Sequence, residues 1–168
     1  VLAPRLQGWS LRSGQNVVRG ERYAAFNVMG DYPDYRKIDP CTMLHGRYIN
    51  RKDIELKRKV CLLGEKVYEV MFDEGEDPVG EYLRVNGVYF MVIGVFQSNN
   101  PNINIGSNKK ETIYLPFTTM QQTFNYGDQV HYFGFTVDQG EDVAQVQDRI
   151  KPLLKKRHNI APEDDEAI

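Results

Sequence analysis

The sequence predicts an α+β domain, a mixed sheet containing a β-hairpin with helices packed against it, and three stretches carry that prediction. Tyr82-Leu83-Arg84-Val85, Asn86-Gly87 and Val88 to Phe96 read as a hairpin, because Asn-Gly suits a type I′ turn whose two central residues need positive φ. Lys59 to Leu63 is a short apolar run ending at Gly64, as a buried strand would. It is followed by Val67, Tyr68, Met71 and Phe72 at the spacing of one helical face. Glu141 to Arg157 places Val143, Val146, Ile150, Leu153 and Leu154 on one face, with an acidic start and a basic finish that match the helix dipole.

Taken in order, the other elements are shorter. Arg5 to Arg12 reads as a strand broken by Ser13-Gly14, and Arg22 to Met29 resumes until Gly30-Asp31 and Pro33-Asp34 end it. Asp31 to Arg47 reads as loop with one helical turn. Asp73 to Asp77 stops the helix that begins at Glu65. Gln97 to Lys110 is polar and Asn-rich, so the expectation is a mobile excursion. Thr112 to Leu115 predicts a strand and Thr118 to Phe124 a helix after Pro116. Tyr132 to Val137 predicts a last strand, and Pro152 is expected to bend or split the final helix. Ile93 lies in the strand expected to be the most buried.

Composition narrows the function. At 168 residues, with 41% hydrophobic and 26% charged residues, the chain has the make-up of a globular domain that needs no disulfide framework. Basic and acidic residues, 21 and 23, are interspersed for a net charge of −2, which argues against a nucleic-acid partner. The longest apolar stretch, Val88 to Phe96, is too short to span a bilayer. The Val-Leu-Ala-Pro start, without an initiator Met or signal region, predicts a piece of a longer protein. No phosphate-cradling glycine loop with its Lys is present and no G-x-S-x-G elbow, so neither nucleotide handling nor acyl transfer is encoded.

The remaining candidate constellations each have a plainer reading. Cys41 and His45 have the one metal-like spacing, with Asp31 or Asp39 as conceivable further ligands. Two ligands do not close a zinc site, and a buried Cys with a surface His is the expectation. Cys41 and Cys61 are expected to stay unpaired. Glu74-Glu76-Asp77 and Glu163-Asp164-Asp165 sit in polar stretches read as solvated turns. Tyr82, Tyr89, Phe90 and Tyr132 form a conceivable stacking platform, but their spacing assigns them to strand faces in the core. No residue is assigned a catalytic, cofactor-binding or metal-binding role.

Four stretches together resemble the periplasmic core domain of MacB-like ABC transporter permeases. They are Gly46-Arg47-Tyr48-Ile49 with Asp53; Val60-Cys61-Leu62-Leu63-Gly64-Glu65 with Met71-Phe72; Pro78-Val79-Gly80-Glu81 through Val85 with Val92-Ile93-Gly94-Val95; and Ile113-Tyr114-Leu115-Pro116-Phe117-Thr118-Thr119. The likeness covers about residues 44 to 160. Gly46, Gly64, Gly80 and Gly94 would be fold-keeping positions where turns or close backbones exclude a Cβ. Cys61 falls where the family carries a small apolar residue, which implies an inert thiol.

The resemblance implies a non-catalytic extracytoplasmic domain between two membrane helices of an inner-membrane permease. It would couple cytoplasmic ATP hydrolysis to movement of a substrate or a periplasmic partner in efflux or lipoprotein handling. It implies an ABC ATPase domain or subunit, a homodimeric permease and a periplasmic adaptor as partners, and no cofactor. It also divides the chain, residues 1–168, into a sabre-like, mainly β part at 1–127 and a porter-like strand–helix unit at 128–168. The family's first strand and helix unit is not found before Val1, so an N-terminal portion is expected to be missing. The alternative is a stand-alone ligand-binding or hydrolytic domain that uses the Tyr-rich face with His131.

Overall fold

A computed structural model describes residues 1–8, 14–99, 108–138 and 140–164. The chain forms two compact units, one of Leu2–Gly134 and one of Val1 with the chain from Phe135 onward. Among the described residues of the chain there are ten strands: β1 Leu2–Gln7, β2 Val17–Arg19, β3 Arg22–Ala24, β4 Asn27–Asp31, β5 Cys41–Gly46, β6 Val60–Gly64, β7 Tyr82–Val85, β8 Val88–Ser98, β9 Thr112–Pro116 and β10 Tyr132–Phe135. Five helices join them: α1 Tyr35–Ile38, α2 Arg51–Glu55, α3 Glu65–Met71, α4 Phe117–Thr123 and α5 Val143–Arg157. The strands order as β10-β1-β4-β9-β6-β8-β7-β2-β3, with β5 added on β8.

The sheet is mixed: β4 with β9 and β6 with β8 are parallel, and the other registered pairs are antiparallel. Every residue of β4, β6 and β9 is buried. That is the pattern of strands covered on both faces, and it is why they read as apolar runs without alternation. Helix α4 packs on β4 and β9, and α3 packs on β6 and β8, sealing Leu62, Leu63, Val67, Met71, Leu115 and Met120 in one core.

Strand β8 is the spine. Its first residues pair with β7, Val88 to Met91, while Cys41 to Gly46 of β5 take over the same edge from Ser98 back to Gly94. The opposite edge pairs with β6 from Met91 to Phe96. Where β5 turns off, its chain presses close: a Cβ on Gly94 would stand 2.6 Å from the Arg47 carbonyl oxygen and 2.8 Å from that of His45. Only glycine leaves room for that crossing. The β7–β8 hairpin turns through Asn86 at φ 46° and Gly87 at φ 85°, the type I′ geometry the sequence predicts.

Several local expectations need correction. The stretch 31–47 is not a loop with a single turn, since α1 is followed by the six-residue strand β5. Its inward set is Cys41, Met43 and His45, only half-buried, so the apolar alternation is faint. Arg22 to Met29 is two strands, and β2 was not foreseen. Gln97 and Ser98 extend β8, while Asn108 caps a 3-10 turn at Lys109–Glu111. Asn99 accepts from the Thr42 hydroxyl at 2.8 Å, and residues 100–107 of the expected excursion lie outside the described residues, as do residues 9–12 of the first expected strand.

In the second unit α5 runs unsplit through Pro152. Pro152 and Asp148, whose carbonyl loses its helical donor, are both exposed, so water takes the place of the missing N–H. The apolar stripe expected on this helix is only partly covered. Val146, Ile150 and Leu154 are half-buried, while Val143 and Leu153 are exposed.

Candidate functional site

The most highly charged part of the core lies where β1, β4, α1 and the 3-10 turn meet. Arg5 is 2% exposed and forks onto the fully buried Asp31, its Nε donating to Oδ1 at 2.6 Å and Nη2 to Oδ2 at 2.7 Å. The guanidinium lies 3.5 Å over the Tyr35 ring and 5.2 Å from the Tyr114 ring. Burial alone would lower its pKa, but the charge and hydrogen bonds of Asp31 hold it above its ordinary value. Nearby, the buried Lys109 donates to Asp39 at 2.8 Å. Both carboxylates are thus engaged by cations, and the cavity beside them, about 10 Å³, holds no more than one water. This chemistry ties strands together and has no room for a substrate.

A second arrangement surrounds Asp53. Asn50 caps α2 by accepting from the Asp53 backbone N–H at 3.1 Å, and the Asp53 carboxylate accepts in return from the Asn50 N–H at 2.9 Å. The same carboxylate, fully buried, also accepts from Arg47 Nη1 at 2.6 Å and Nη2 at 3.1 Å, with Arg58 at 3.6 Å. Burial would push its pKa up; the hydrogen bonds from Arg47 and Asn50 and the charges of Arg47 and Arg58 outweigh it and hold the carboxyl below the usual range. Thr118 and Thr119 of α4 donate to the Ile54 and Arg58 carbonyls at 2.6 and 3.0 Å, which pins the turn after α2 to the core.

The residues singled out from sequence are scattered. Cys41 and His45 lie on β5, both half-buried; His45 packs 5.2 Å from the Tyr68 ring, so it is not the surface residue expected. Asp31 and Asp39 are taken by Arg5 and Lys109. Both thiols are free, and burial pushes each above its ordinary pKa, Cys61 the further. Glu76 is no solvated turn residue, for it pairs with Arg19 and accepts from the Asp73 N–H at 3.0 Å. Asp165 lies outside the described residues.

The aromatic residues correct the expectation of a core role. Phe90 is fully buried, but Tyr82 and Tyr89 are 55% and 62% exposed on the outer face of the hairpin, and Tyr132 is 39% exposed on β10. His131 precedes β10, its Nδ1 accepting from the Gln7 N–H at 3.0 Å. Tyr89 on β8 and Tyr82 on β7 stand five and six strand positions from β10, so of the platform residues only Tyr132 neighbours His131. The Tyr-rich face and His131 therefore do not form one site.

Two features escaped the sequence reading. The Asn50-x-x-Asp53 spacing is a capping-box signal that marks α2. The Arg5–Asp31 fork joins residues 26 apart and leaves no local signal.

The sequence pattern of the family described as the MacB-like periplasmic core domain matches residues 1–153. The chain belongs to that family. It is 30% identical over 136 residues to the macrolide export ATP-binding/permease protein MacB of Bdellovibrio bacteriovorus, covering 79% of this chain and 20% of that protein. It is 25% identical over 146 residues to the pyoverdine export ATP-binding/permease protein PvdT of Pseudomonas entomophila, covering 86% of this chain and 22% of that protein. The chain thus spans about a fifth of the length of these relatives. In fold it matches the periplasmic region of MacB from Actinobacillus actinomycetemcomitans with a TM-score of 0.78 at 19% identity, over 95% of this chain and 67% of that one. The extracellular domain of the transporter YknZ from Gram-positive bacteria matches with a TM-score of 0.72 at 16% identity, over 95% and 76%. The expected α+β fold and its family resemblance agree with these findings.

Proposed function

We propose that this chain is an extracytoplasmic domain of an ABC exporter permease, a part that moves with the transport cycle and performs no chemistry of its own. The observation that carries the reading is the family match over residues 1–153. The names of the relatives, export proteins that join an ATP-binding part to a permease, support the direction of transport. On this reading the permease works as a homodimer with an ATP-binding domain or subunit in the cytoplasm. The paired outer domains pass movement to cargo or to a periplasmic adaptor. The interior of the domain suits that role, because its buried charges are spent on joining β1 to β4 and the 3-10 turn to the end of α1.

The test places Tyr82→Cys, on the exposed face of the hairpin, in the full protein that contains this chain. A membrane-impermeant maleimide should label it in cells whose outer layer is permeable while the inner membrane is intact. Labelling seen only after the inner membrane is broken would overturn the proposed location. A labelling rate identical with and without an inactivating change in the ATPase part would overturn the coupling.

A further inference from the structure

Helix α2 and the chain on either side of it concentrate cationic side chains in a chain that is acidic overall. Residues 47–59 hold six basic side chains, Arg47, Arg51, Lys52, Lys57, Arg58 and Lys59, against two acidic ones, Asp53 and Glu55, while the whole chain has a net charge of −2. The one buried carboxylate, Asp53, already serves both Arg47 and Arg58. Arg51 is 82% exposed and its ion-pair partner, Asp34, lies 3.9 Å away. Lys52, Lys57 and Lys59 are all exposed.

Two further observations mark the turn after α2 as built to be presented. Lys57 sits at φ 47°, the left-handed region that favours glycine. Leu56 beside it is 63% exposed, an apolar side chain held out among cations. The turn is also rigid, since the capping box, the Asp53 clamp and the two threonine hydroxyls of α4 fix it. Next to it lies an open cleft of about 570 Å³, with Leu56, Lys57 and Lys59 from the turn and Val88 and Thr123 from the hairpin and α4.

We propose that this cleft docks an acidic, leucine-bearing segment of another protein. The carboxylates of such a segment would meet Lys57, Lys59 and Lys52, and its apolar residue would cover Leu56 and Val88. A concave site with apolar ground between cations fits a polypeptide better than a membrane plane, which would need a convex apolar tip. Glu55 is the one carboxylate of the cleft lining, set against Lys57 and Lys59.

The experiment uses the described chain and a labelled peptide, Glu-Glu-Leu-Glu-Glu-Leu-Glu-Glu, read by fluorescence anisotropy at low and high salt. The peptide should bind, more weakly as salt rises, and its counterpart with Lys in place of each Glu should not. Lys57→Asn combined with Lys59→Gln, and separately Leu56→Ser, should each weaken binding by about tenfold while the melting temperature stays unchanged. Asparagine keeps the left-handed backbone, so the first variant tests charge and not strain. Equal binding of both peptides overturns the proposal, as does an equal loss in the remote control Lys66→Gln. Sedimentation with phosphatidylglycerol vesicles in the absence of peptide binding would assign the surface to lipid. Self-association abolished by the lysine changes would assign it to a second copy, and either result overturns the proposal. None of these outcomes depends on the export reading, which is tested in the full protein.

Discussion

Replacing Asp53 by alanine should cost about 2–3 kcal/mol of stability at neutral pH. The change removes the carboxylate half of the capping box, worth about 1 kcal/mol, and leaves the Asn50 N–H without its partner. It also removes the two Arg47 hydrogen bonds at 2.6 and 3.1 Å. Bonds to charged groups contribute about 1.5–3 kcal/mol each when fully buried, but Arg47 is 42% exposed and regains water, so only part of that is lost. For a chain of this size the expected fall in Tm is about 5–10 °C. The pH dependence gives a second, independent check. Because the native carboxyl titrates below its ordinary value, its contribution is complete above the unfolded pKa of about 4 and disappears as pH falls through the lower native value. Circular-dichroism melts of the parent and Asp53→Ala at neutral pH and near pH 3 should therefore show the gap between them shrinking in acid. A gap that is absent at neutral pH, or one that is as wide in acid, refutes the account.

Arg5→Met should destabilise the domain by about 3–5 kcal/mol, because it takes the paired cation from the fully buried Asp31 carboxyl and leaves that carboxyl to Tyr48. The double change Arg5→Met with Asp31→Leu should recover most of that loss in urea titrations, and failure to recover would mean the fork adds more than mutual compensation. Gly94→Ala should cost about 3 kcal/mol or prevent soluble folding, since its Cβ meets two backbone carbonyls that cannot step aside. An unchanged urea midpoint would show that β5 leaves β8 by a looser path.

The parts of the fold that were legible are those whose information is local. Asn86-Gly87 between two apolar runs needs nothing beyond its own turn chemistry, and the Gly64 junction announces a strand giving way to a helix. Strand β5 was hidden because its inward positions include His45 and a half-buried Cys41, so its alternation has little hydrophobic contrast. For the tyrosines, periodicity held but the choice of face did not. Tyr82 alternates with Leu83 and Val85, which are the inward pair, so it shares the outer face with Arg84. On α5 the helical period was right, yet a stripe of correct spacing does not say how much of it is covered. The buried fork and the exposed lysines around Leu56 depend on which strands and turns become neighbours in space. No window of sequence contains that.

The shared edge of β8 has a mechanical consequence. Between Met91 and Phe96 this strand is bonded on one side by β6 and on the other by β7, the segment at Gly80–Glu81, Arg47 and β5 in succession. A pull along its axis therefore loads many hydrogen bonds at once in shear, and none can be peeled before the others. The hairpin tip at Asn86-Gly87 and the far end at Ser98 are the two ends of one stiff rod. A displacement applied at either end reaches the other with little stretch, which makes the pair of ends a natural place to attach probes of distance.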